Sequence, residues 1–180
     1  MDPQMPAEGP GHSFTMRDGT VLPAREVARG IYLIMNDEPR RIFDKIWKFL
    51  EAEIPTDRRP QFEAAFLEKM RLYSEAAALR VLITTKNNDE RYEPLLWEFE
   101  EYLFPAAGPT EEGQKKLDAL RSAMGDIQTL SVNPQLTWAY DWFLQLGHDE
   151  TNPDTLMMFI QMFSVGTQAL RKLLKETIPR

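Results

Sequence analysis

Cysteine is absent from this chain, and histidine occurs only twice. No cysteine means no disulfide, no thiolate metal site and no thiol nucleophile, a composition that fits a reducing cytoplasm. Positive charge is also in deficit. Lys and Arg number 21 against 28 Asp and Glu, a formal net charge of −7. Phosphate backbones are bound by clustered cations, so this balance argues against a nucleic-acid partner. Long apolar runs are missing as well. The most apolar stretch, "LMMFIQMFSV" (156–165), is about half the length a bilayer crossing requires, so no membrane span is expected. The opening "MDPQMPAEGPGHSF" carries acids and prolines in place of a basic region and an apolar run, which is not the pattern of a secretory signal.

What remains is an ordinary globular composition, 43% apolar and 27% charged, on a chain long enough to bury one core. Residues 1–12 are rich in Pro and Gly and read as a flexible tail. Residues 13–180 read as a single helical domain. Asp18-Gly19, flanked by Phe14, Met16, Val21 and Leu22, is a strong hairpin signal and predicts a short N-terminal β-ribbon. From Pro23 onward the punctuation is helical. Prolines 39, 60, 94, 134 and 153 stand where first helical positions belong, because proline lacks an N–H that would be unpaired there anyway. Asn133, Asn152 and Thr110 are suited to cap helices.

The spacing predicts helices over 23–35, 38–53, 59–84, 90–103, 110–128, 134–146 and 153–177. With short polar connections they form an all-α, antiparallel helical bundle of about six to seven helices. Most carry one apolar stripe: Ile42, Phe43, Ile46, Phe49 and Leu50 in the second, against Arg40, Arg41, Lys45 and Lys48. Two helices carry more. Trp138 and Trp142 form a second stripe on 134–146, and Met158, Phe159, Met162, Val165 and Ala169 form one on 153–177. A helix apolar on both sides is either central or meets another chain. Tryptophan and methionine suit the second role, and Trp138, Trp142, Met158 and Met162 are the candidate interface or ligand residues.

Candidate chemistry concentrates in "LGHDETNPD" (146–154), with His148 and Asp149 as the metal candidates. A His-Asp dipeptide on a helix resembles the all-α metal phosphohydrolases. That family's site also needs a second helical histidine, and the only other one is His12, in the tail. Residue by residue the stretch also reads as a loop, with Gly147 as a helix stop, two solvated acids and Asn152 before Pro153. Glu90/Glu93 and Glu98/Glu101 resemble the first element of the all-α nucleotide pyrophosphatases. The Glu-x-x-Asp of that pattern does not follow. No nucleophile elbow, phosphate loop or dinucleotide fingerprint occurs. The expectation is therefore a cytoplasmic protein–protein interaction module that self-associates, without cofactor and leaning away from an enzyme. The alternatives are a Mg- or Zn-dependent hydrolase of a small phosphorylated substrate and an apolar small-molecule binder.

Overall fold

The computed structural model describes residues 12–52, 54–104, 110–129 and 153–179. Among them the fold is all-α with a small N-terminal hairpin. Strands β1 (Ser13–Thr15) and β2 (Val21–Pro23) pair antiparallel, Phe14 opposite Leu22. Gly19 takes φ +86, the left-handed conformation that the turn requires and that glycine adopts at low cost. Asp18 accepts a hydrogen bond from the Thr20 amide at 2.9 Å, which holds its carboxyl below the usual range. Five helices follow: α1 (Ala24–Leu50), α2 (Arg59–Asn88), α3 (Glu93–Leu103), α4 (Glu111–Thr129) and α5 (Pro153–Thr177). Single 3-10 turns lead into α2 and α3. Thr110 caps α4 as expected, its Oγ1 accepting from the Gly113 amide at 3.0 Å. The helix expected over 134–146 lies outside the described residues.

Among the described residues five helices stand where six were expected, and the reason is Pro39. Separate helices were expected over 23–35 and 38–53. Instead α1 runs through Pro39 as one helix of 27 residues. An internal proline costs about 3 kcal/mol through the lost hydrogen bond and ring clash. Opposing that cost is an apolar stripe whose spacing never breaks: Ile31, Met35, Pro39, Ile42, Phe43, Ile46, Trp47 and Leu50 are all buried. Ending the helix at residue 38 would rotate half of that stripe out of register.

Ring contacts set the directions. Phe43 lies 5.3 Å from Phe66 and Trp47 lies 6.1 Å from Phe62, centroid to centroid, so α1 and α2 run antiparallel. Phe159 and Phe163 meet Phe62 and Phe66 in turn, each at 6.2 Å, so α5 runs with α2 and against α1. At Gly166 α1 and α5 approach closely. A Cβ there would stand 2.8 Å from Ile42 Cγ2, so only glycine lets the helices meet.

These helices enclose two apolar clusters. One, at the α1–α2 turn, joins Phe43, Trp47, Phe62, Phe66, Phe159 and Phe163. The other, toward the chain ends, joins Ile31, Met35, Ala76, Ala77, Leu82, Phe99, Leu120 and Leu174 among others. The enclosed helix is α2. Every residue from Tyr73 to Leu79 is buried, two turns covered on all sides, with α1, α3, α4 and α5 as neighbours. Ala76, Ala77 and Ala78 have no bulk to hold those neighbours off. Two polar groups in this stretch are satisfied: Ser74 donates to the Met70 carbonyl at 2.6 Å, and the Lys116 ammonium reaches Glu75 Oε1 at 3.3 Å.

Candidate interaction surface

The last helix was expected to be either central or an interface. With α2 in the centre, α5 lies at the side. Its core face is Phe159, Ile160, Phe163, Thr167, Leu170 and Leu174, all buried. Its second stripe turns outward: Met158 is 39% exposed, Val165 is 66% exposed, Ala169 is exposed and Met162 is half-buried. Met157, directly before Met158, is 53% exposed. Phe159 alone of that stripe is buried, because it lies at its border with the core face. Of the residues the sequence singled out for an interface, Met158 and Met162 therefore share one helix face. Trp138 and Trp142 lie outside the described residues, as do His148 and Asp149.

Two exposed aromatics were not anticipated. Phe49 was read as part of the buried stripe of α1, yet it is 51% exposed. It stands at the seam where the buried arc of Ile42 and Ile46 gives way to Lys45 and Lys48, and no helix among the described residues reaches round to cover it. Trp97 is 60% exposed and sits on the side of α3 opposite the buried Leu95, Phe99 and Leu103. The signal was present in the sequence. Trp97 stands two residues from both Leu95 and Phe99, about 200° round the wheel, among Glu93, Glu100 and Glu101.

The acidic pairs of α3 gain no third ligand among the described residues. Among the described residues no group of three or more His, Asp or Glu side chains is placed to hold an ion. Glu90 and Glu93 are separated by the 3-10 turn ahead of α3, and Asp89 is engaged by Arg91, whose Nε and Nη2 donate to its carboxylate at 2.9 and 2.6 Å. That fork, with the Arg91 amide, holds Asp89 below the usual carboxylate range. Partial desolvation raises Glu100. No helix among the described residues is long and apolar enough to cross a membrane. Comparison with family models, curated proteins and solved structures gives no match for this chain.

Proposed function

We propose that this protein is a cytoplasmic protein–protein interaction module that self-associates. The observation that carries the reading is the placement of large apolar side chains away from the core face of three helices: Met158 and Val165 on α5, Phe49 on α1 and Trp97 on α3. Scattered exposed apolar residues are normal on any monomer. A methionine–valine stripe along one face, which the core does not use, is better suited to a partner, since methionine adapts to irregular surfaces. Met162 borders this stripe and would be covered with it. Two buried polar groups serve the fold: Glu75 pairs with Lys116, and Thr167 donates to the Ser164 carbonyl.

Sedimentation velocity across a wide concentration range tests the reading directly. Self-association appears as a sedimentation coefficient that rises with concentration. A single monomeric boundary throughout would overturn it.

A further inference from the structure

The outer faces of α1 and α3 are opposites, each built around an exposed ring. On α3, Glu93, Glu100 and Glu101 lie within one turn of Trp97 on the same side of the helix. Among the described residues none of the three forms an ion pair. On α1, Lys45 and Lys48 lie within one turn of Phe49, and Arg41 lies one turn before Lys45. Lys45 and Lys48 likewise have no ion-pair partner among the described residues, while Arg41 holds Glu38 at 2.9 Å.

The two faces cannot meet inside one molecule. The Tyr32–Tyr102 stack, with centroids 5.4 Å apart, fixes α3 beside the N-terminal half of α1. Phe49 is farther along α1 by about 25 Å, at 1.5 Å per residue. Among the described residues each face is thus left with unpaired charge of one sign around an exposed aromatic. A second copy of the chain presents the complement to both.

We propose that the Trp97 face of α3 in one copy docks on the Phe49 face of α1 in the next, in a head-to-tail contact. This rests on the self-association reading and names the surfaces that carry it. Trp97 is the anchor: a rigid ring that buries a large area at small entropic cost and attracts cations to its face. The same pairing already occurs inside the fold, where the Arg59 guanidinium stands 5.2 Å from the centre of the Trp47 ring. Lys45 and Lys48 reach the Trp97 face and its flanking carboxylates, Glu100 among them. Exposed pairs contribute little individually, so they set orientation while the rings supply the affinity. Because the two faces differ, the contact does not close on itself in a dimer. It propagates into a ring or an open chain.

The test is sedimentation velocity on the full chain and its surface variants, each first checked for unchanged helicity and melting. The expected results are a wild-type assembly weakened by salt and a Trp97→Ala variant whose dissociation constant rises about tenfold or more. Glu100→Lys with Glu101→Lys, and separately Lys45→Glu with Lys48→Glu, each give a chain whose two faces repel. Mixing these two double variants restores assembly, because each reversed face meets a complementary one. Failure of the mixture to assemble, or indifference of the assembly to all these changes, overturns the head-to-tail contact. If Met158→Lys with Val165→Lys disperses the protein and the α1 and α3 variants do not, self-association stands and this contact falls. A wild-type monomer overturns both, including when a basic polypeptide such as polylysine binds the Trp97 face.

Discussion

The two ends of this bundle are packed on opposite principles. Toward the α1–α2 turn the core is made of rings: Phe43, Trp47, Phe62, Phe66, Phe159 and Phe163, each in contact with another at 5.3–6.3 Å. Toward the chain ends α2 offers Ala76, Ala77 and Ala78, and the bulk comes from the helices around it. Large side chains fill space between few helices. Small ones remove space, so that more helices can close on one. The ring cluster accordingly joins three helices, α1, α2 and α5, whereas the alanine region brings in α3 and α4 as well. The first should fail when side chains shrink, the second when they grow.

The largest effect tests the ring end. Phe66 is fully buried, and Phe66→Ala should cost about 3–5 kcal/mol in a chemical-denaturation curve, because the rings around it cannot all collapse inward. An effect under about 1.5 kcal/mol would mean that end is loosely packed. Ala76→Leu comes next. Ala76 has no exposed surface, and the added carbons should cost about 1–3 kcal/mol by forcing α2 and its neighbours apart. If leucine is tolerated there, the alanine region is not the close junction described above.

The Lys116–Glu75 pair holds α4 against the same region, with the lysine also 5.8 Å from the Phe104 ring centre. Lys116→Met should destabilise by about 1–2 kcal/mol, between the values for exposed and fully buried pairs, since the lysine side chain is 37% exposed. Adding Glu75→Leu to that variant should recover stability, because the buried carboxylate is no longer left alone. Thermal melts of both variants would decide. No recovery would mean that Glu75 is satisfied in another way.

Smaller effects are expected at the edge of the alanine end, where the chain termini are tied in. The Tyr92 hydroxyl donates to the Pro179 carbonyl at 2.8 Å, and its ring stacks on Phe14 at 5.4 Å. Tyr92→Phe keeps the ring and removes the hydrogen bond, and should cost about 0.5–1.5 kcal/mol, read as a lower denaturation midpoint with unchanged slope. Smallest of all is the acid dependence of Asp89. Its pKa is lowered in the folded state, chiefly by the Arg91 side chain, so its contribution is present above the ordinary carboxylate pKa. It is lost as pH falls through the lowered folded value. Stability curves of the wild type and Asp89→Asn should therefore differ at neutral pH and converge in acid. A constant gap would assign the effect to the backbone cap alone.

Much of the architecture was legible from local chemistry. Asp18-Gly19 marked the hairpin, Thr110 marked the start of α4, and the start of α5 at Pro153 agreed with the expected boundary. The exposed apolar surface was legible only in part. Met158 and Met162 were identified from the second stripe of α5. Trp97 was passed over beside the apolar stripe of α3, and Phe49 was assigned to the wrong side of its seam, because an edge position is buried or exposed according to whether a neighbour reaches it.

The sequence alone determined what depends on a few adjacent residues: helical class, the turn, the Thr110 cap and the sign of each charged face. Only the tertiary structure decided that α1 continues through Pro39, that α2 and not α5 is enclosed, and that Phe49 and Trp97 face outward. Burial is a sum over neighbours brought from distant parts of the chain. No window along the sequence holds that sum, and here it was large enough to override a proline and to choose the central helix.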